Sequence, residues 1–264
     1  MSEAPEVAFT GERLHAGSRL FGVDLARHRA AYAFAIARAE GARVLDLGCG
    51  SGYGAASLAE AAGLVVAVDR VRPDAASRRG RAAFVRADIA ALPIAPASFD
   101  LIVSFQVIEH LEDPAPYLTA IARMLKPTGC VLVTTPNLLE SDRVNPFHVR
   151  EYASDELASL LAPHFRRVEM RGVGMTPRVR AYNDARLARI RRIMRLDVLG
   201  LHRRLPRPVI EFAFGQLAKV VRRGVQSEPS GPGPIPDVSE ADFPVGPPRA
   251  DDIDLLAVCG DPIA

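Results

Sequence analysis

Short apolar runs alternate with alanine-rich or amphipathic stretches along the first two thirds of the chain. Val44-Leu45-Asp46-Leu47, Leu64-Val65-Val66-Ala67-Val68-Asp69 and Ala83-Phe84-Val85-Arg86-Ala87-Asp88 each end in or beside an acid, and 99–104 and 129–135 repeat the pattern. Runs this short, bounded by Gly, Asp and Pro, predict buried strands rather than helices. Helices are predicted between and before them, at 30–39, 55–62 and 116–125. A further helix at Ser154–Leu161, capped by Ser154 with Asp155 and Glu156 in its first turn, precedes a sixth strand at Phe165–Val173. The last apolar run, 253–259, reads as a closing strand. Strands alternating with helices imply βαβ units, hence a mostly parallel sheet covered on both faces.

Composition narrows the class. The 264 residues are 48% hydrophobic, 24% charged and 6% aromatic with no Trp, which excludes a disordered chain. No apolar run approaches the ~20 residues of a membrane-spanning helix. The acidic lead Met1-Ser2-Glu3-Ala4-Pro5-Glu6 lacks the apolar core of a secretory signal, so a cytoplasmic protein is expected. Cys49, Cys130 and Cys259 are odd in number and lie in apolar or Gly-rich surroundings, so they are expected as buried free thiols.

A net charge of +2 conceals an uneven distribution. Residues 178–223 hold thirteen Lys and Arg against Asp184, Asp197 and Glu211, a balance of +10 that leaves −8 on the rest. Within that segment Leu187, Ile190 and Met194 form one helical stripe and Ile210, Ala213, Phe214, Leu217 and Val221 a second, joined at Leu205-Pro206-Arg207-Pro208. The pair is expected to pack as a lid on the sheet or at a homodimer interface. Docking of 184–223 on an anionic membrane surface is a further expectation, whereas nucleic acid is not expected, because aromatics for base stacking are scarce there. Seven Pro and three Gly in 226–250 mark a loop or linker. The resulting organisation is an N-terminal cover (1–40), a core (41–173 with 251–264), and a basic helical insertion with its Pro/Gly-rich loop (174–250).

The strongest chemical signal is Asp46-Leu47-Gly48-Cys49-Gly50-Ser51-Gly52-Tyr53-Gly54, a glycine loop between strand and helix. Such glycines admit positive φ and let backbone approach a ligand closely. Alone the pattern is weak, but acids follow at the next two strand ends. Asp46 before the glycines can reach a cationic amino group, Asp69 can accept from ribose hydroxyls, and Asp88 can meet an adenine amino group. An acid ahead of the loop opposes a pyrophosphate and suits a ligand carrying an ammonium and a sulfonium.

With Asp69, Asp88-Ile89 and Phe105-Gln106-Val107-Ile108-Glu109-His110-Leu111 in order, the loop resembles the motifs of class I S-adenosylmethionine-dependent methyltransferases over about residues 25–173 plus the last strand. That resemblance implies a Rossmann-like α/β fold with a seven-stranded, mostly parallel sheet, helices on both faces, and a last antiparallel strand beside the sixth. It implies S-adenosylmethionine as cofactor, held by Asp46, Gly48, Gly50, Gly52, Asp69, Asp88, Ile89, Phe105 and Tyr32.

Methyl transfer to a hydroxyl needs positioning and a base. His148, on the loop after the fifth strand, is the first candidate, and His110, after the fourth, the second. His28 lies on the N-terminal segment, and His164, near the sixth strand, is expected to be structural. The stretches Thr135-Pro136-Asn137 and Asn145-Pro146-Phe147-His148-Val149-Arg150-Glu151-Tyr152, together with Thr10-Gly11-Glu12-Arg13 and 27–35, resemble methyltransferases of bacterial glycan and glycoconjugate pathways. A saccharide or glycoconjugate acceptor is therefore expected. A phenolic or quinone-like acceptor and a non-catalytic cofactor-binding subunit are the alternatives. Glu109, Asp113 and Asp142 show no tight metal-ligand spacing, so no metal is expected.

Overall fold

The computed structural model describes residues 21–89, 92–195 and 237–263, with scattered positions between 210 and 225. In chain order come α1 (Gly22–Ile36), β1 (Arg43–Leu47), α2 (Tyr53–Ala61), β2 (Leu64–Asp69), β3 (Ala83–Arg86), β4 (Phe99–Phe105) and α3 (Ala115–Met124). They are followed by β5 (Leu125–Pro136), α4 (Ser154–Leu161), β6 (Phe165–Val173), α5 (Pro177–Met194), β7 (Val245–Gly246) and β8 (Asp254–Pro262). The strand order is β3-β2-β1-β4-β5-β8-β6-β7. Strands β1 to β5 pair in parallel, and β8 runs antiparallel between β5 and β6.

Among the described residues eight strands replace the expected seven. The extra one, β7, pairs only Val245 and Gly246 with the end of β6. Pro244, Pro247 and Pro248 flank it, and a residue without a backbone N–H cannot extend a ladder, so it stays at two residues.

Alternation along each strand sorts side chains into two cores. Val44, Leu101, Leu132 and Leu256 point to the face covered by α1, α2 and the start of α5. Leu45, Ile102, Val131 and Leu255 point to the face covered by α3 and α4. Burial on both faces explains why these strands read as continuous apolar runs. Ala26, Ala30, Ala31 and Ala35 of α1 are buried, and their lack of bulk lets the helix lie close to the sheet. This helix starts earlier than the pattern predicts and stops at Ile36, because Arg38 and Ala39 N–H turn back tightly onto Ala35 and Ile36 carbonyls. In α4 the cap is Ala153, not Ser154. Ala153 is the extended residue, and Glu156 Oε2 accepts its N–H at 3.0 Å.

The sheet order reverses between β1 and β4, which opens a crevice beyond their carboxyl ends. Helix α5 is fastened across the rim where Arg178 meets Asp242 at 2.6 Å and Thr176 Oγ1 donates to Asp242 Oδ1 at 3.0 Å. Cys49 and Cys259 are buried free thiols as expected, while Cys130 is half-buried. Among the described residues no helix is long and apolar enough to cross a membrane. Thr10–Arg13 and the 205–208 joint fall outside the described residues.

Candidate active site

The crevice is a cavity of about 850 Å³ whose floor is the glycine loop. Gly48, Gly50 and Gly52 all have positive φ, at +79°, +54° and +85°. Gly48 and Cys49 N–H both donate to Val68 O, so the loop hangs from the end of β2. A Cβ at Gly48 would run into Val107, whereas the Cβ direction at Gly50 is open, which leaves that backbone approachable by a ligand. Gly52 caps α2 and does not line the cavity, so its role is the turn.

Asp69 lines the cavity with its carboxylate already oriented: Oδ2 accepts Gly50 N–H at 2.8 Å and Oδ1 accepts Val71 N–H at 2.9 Å. Ile89 and Phe105 also line it, and Asp88 stands at the edge, half exposed and ion-paired with Arg70 at 2.7 Å.

Asp46 is placed differently from the expectation. It is fully buried behind Tyr32, whose hydroxyl donates to Oδ2 at 3.1 Å, so the cavity wall is the phenol and not the carboxylate. Burial pushes the Asp46 carboxyl up to about 7, reinforced by the Asp69 charge and opposed by the Tyr32 hydrogen bond. The Tyr32 ring meets Phe105 edge-to-face at 4.9 Å and Tyr53 at 5.8 Å. Gly54 makes room for it, since a Cβ there would strike the ring.

Two chain segments are stitched together at the far wall. Glu109 O accepts the N–H groups of Val149 and Arg150 at 2.8 and 3.2 Å, and His110 Nδ1 donates to Phe147 O at 2.9 Å. A carbonyl only accepts, so Nδ1 carries the hydrogen and Nε2 of neutral His110 carries the lone pair. His148 Nδ1 donates to Glu151 Oε1 at 2.7 Å. Its Nε2 accepts from Asn145 Nδ2 at 2.7 Å, and the amide's orientation is set by Phe147 N–H donating to Asn145 Oδ1 at 3.1 Å. Burial raises the Glu151 carboxyl, but hydrogen bonds from His148 and Ser141 and the charges of His148 and Arg143 outweigh it and hold the group below its usual range. The two imidazoles lie 5.3 Å apart, centroid to centroid.

Of the other histidines, His28 lines the cavity with its pKa lowered to about 3 by burial and by Arg27. His164 stays outside the cavity. The insertion supplies the roof: Arg186, Ile190 of the first apolar stripe, and Phe214, Leu217 and Val221 of the second line the cavity.

Several wall residues had no sequence signal of their own. Arg27, half-buried on the cavity wall, pairs at 3.3 Å with Asp254, buried behind it on β8; the sequence pattern gave neither this pairing nor Asp254. Gln106 lines the cavity at φ +56°, a rare conformation for a non-glycine residue that concentrates at functional sites. Its place in the 105–111 motif is the one hint the sequence held.

A crevice at the strand-order reversal, a glycine floor and an oriented acid at the end of β2 define an α/β enzyme that binds a nucleoside-bearing ligand. Comparison with known proteins specifies it. The family model described as "Methyltransferase domain" matches residues 45–133. A probable S-adenosylmethionine-dependent methyltransferase of Mycobacterium tuberculosis is 39% identical over 183 residues, covering 66% of this chain and 67% of that protein. A ubiquinone biosynthesis O-methyltransferase of Cereibacter sphaeroides is 38% identical over 105 residues, 37% of this chain and 42% of that protein. Among solved structures, the putative methyltransferase in complex with the Trm112 methyltransferase activator of Haloferax volcanii superposes with a TM-score of 0.57 at 19% identity, covering 94% of this chain and 96% of that one, a likeness of fold. The chain belongs to the class I S-adenosylmethionine-dependent methyltransferases, and S-adenosylmethionine is its cofactor.

Proposed function

We propose that this chain methylates a hydroxyl of a saccharide or glycoconjugate, with the hydroxyl activated at the His110–His148 pair. The observation that carries the reading is His148 itself: a cavity-lining imidazole gripped at Nδ1 by Glu151, with its lone pair at Nε2. S-adenosylmethionine, when bound, supplies a methyl group made electrophilic by its sulfonium. Gly48, Gly50, Asp69, Asp88, Ile89, Phe105 and Tyr32 line one end of the cavity and would hold it, with Gly52 shaping the turn and Asp46 acting through the Tyr32 hydroxyl. The chain's remaining task is to align the acceptor oxygen and take its proton. An acceptor hydroxyl that displaces the Asn145 amide would meet the His148 lone pair, and Glu151 would stabilise the imidazolium that results.

A polyhydroxylated acceptor is supported by the polar wall on the His148 side, where Glu140, Ser141, Asp142 and Asn145 line the cavity. A phenolic or quinone-like acceptor is the second reading, favoured by the apolar roof of Ile190, Phe214, Leu217 and Val221. A lipid-linked saccharide would suit docking of the basic segment 184–223 on an anionic membrane, and co-flotation with anionic vesicles at low salt tests that arm. The central test is His148→Ala against panels of sugar and phenol acceptors. Cofactor affinity should be unchanged and turnover should fall by roughly 10²–10⁴-fold. Unaltered turnover removes His148 from the reaction.

A further inference from the structure

We propose that Glu109, His110 and His148 form a binding site for one divalent first-row transition ion, which acts on the acceptor hydroxyl. The inference rests on the hydroxyl-methylation reading but replaces its imidazole base: with the ion bound both imidazoles are ligands and the ion, not His148, activates the hydroxyl. One potential ligand atom from each of the three residues lies within 4.8 Å of the other two. Three ligand atoms bonded at ~2.1 Å to one ion stand roughly 3.0–3.6 Å apart, so closure onto an ion draws each side chain inward by about 1 Å. Asn145 Nδ2 must also yield its place on His148 Nε2.

Three further features suit a cation. Glu109 is fully buried, and its Oε2 is steadied by the Thr135 hydroxyl at 3.2 Å. Both histidines hand their Nδ1 hydrogen to an oxygen, Phe147 O for His110 and Glu151 Oε1 for His148. That is the outer-shell arrangement that fixes the tautomer and makes the other nitrogen a better ligand. Finally, the backbone bonds from Val149 and Arg150 to Glu109 O lock the two ligand-bearing segments together before any ion arrives. Two imidazoles and one carboxylate leave coordination positions open and favour Mn²⁺, Fe²⁺ or Zn²⁺ over Mg²⁺, which prefers all-oxygen surroundings.

An ion there would polarise the acceptor hydroxyl and ease loss of its proton. The balance is simple. The oxygen's electron pair forms the new O–CH₃ bond, the S–CH₃ pair remains on sulfur as S-adenosylhomocysteine, and the proton passes to water.

The test uses the whole protein, stripped with chelator and titrated with MnCl₂ by calorimetry and by electron paramagnetic resonance. One Mn²⁺ per chain is expected, with nitrogen couplings from imidazole and displacement by Zn²⁺ but not by millimolar Mg²⁺. Glu109→Gln and His110→Ala should each weaken binding at least tenfold, while Glu140→Gln, elsewhere on the cavity wall, leaves it unchanged. Absence of Mn²⁺ and Zn²⁺ binding, or binding without nitrogen couplings in the unmutated protein, overturns the site. Methyl transfer by stripped protein that binds no ion overturns the ion and leaves the imidazole-base reading standing. Ion binding at these residues with no transfer to any hydroxyl acceptor does the reverse.

Discussion

A carboxyl with a pKa of about 7 in a sealed pocket makes Asp46 a sensor of pH within the fold. The unfolded chain releases this proton near the ordinary 3.8, whereas the folded chain keeps it until about 7. Between those values the unfolded state binds fewer protons, so stability falls as pH rises, and the loss levels off above the folded pKa. At about 1.36 kcal/mol per pH unit, the full loss is about 4 kcal/mol, a large fraction of a typical domain's total. Asp46→Asn removes the titration and keeps an oxygen to accept the Tyr32 hydroxyl. Urea unfolding followed by circular dichroism should show the variant gaining on the parent by about 4 kcal/mol between about pH 4 and about pH 8. The m-value should be the same for both. Other titrating groups cancel in the difference. A gap of equal size at both pH values would mean that Asp46 ionises normally, and the reasoning from burial would be refuted.

Three more outcomes follow from the same geometry. Gly48→Ala places a side chain at φ +79° against Val107 and should cost roughly 1–3 kcal/mol of stability, together with cofactor affinity, read by unfolding and calorimetry. Glu151→Gln deprives His148 of its carboxylate partner and should lower turnover roughly 10–100-fold with cofactor binding intact; equal loss of cofactor binding would point to a structural role instead. Leu118→Ala, at a fully buried position between α3 and the sheet, should destabilise by about 2–5 kcal/mol in chemical denaturation without altering the acceptor preference.

The sequence made the sheet legible wherever local pattern and global burial agree. Leu64–Asp69 falls where its apolar run places it, closed by its own turn residues, and Phe165–Val173 is the sixth strand the sequence predicts. The first turns of α1 read as polar, and Leu25 and Ala26 become a buried face only once a sheet lies beneath them. Likewise β7 is too short and too proline-flanked for any pattern to announce. At the site, the glycines and Asp69 carried their own spacing. Asp46 had the right neighbours but the wrong depth, since nothing local says that Tyr32 of α1 will stand in front of it. The meeting of Glu109, His110 and His148, and of Arg27 with Asp254, depends on strand order, which joins segments remote in the chain.

The register of the last strand has a consequence for how such an enzyme can change. Val173 at the end of β6 pairs with Asp254 at the start of β8, so the whole excursion between them departs and returns at one point on the sheet. Chain-closure entropy grows only slowly with length, so the part of that excursion between α5 and β7 can be longer, shorter or wholly different without shifting any strand. Because that excursion supplies the apolar roof of the cavity while the glycine floor and Asp69 follow β1 and β2, the proposed function lets acceptor preference diverge while the proposed methyl-donor site stays fixed.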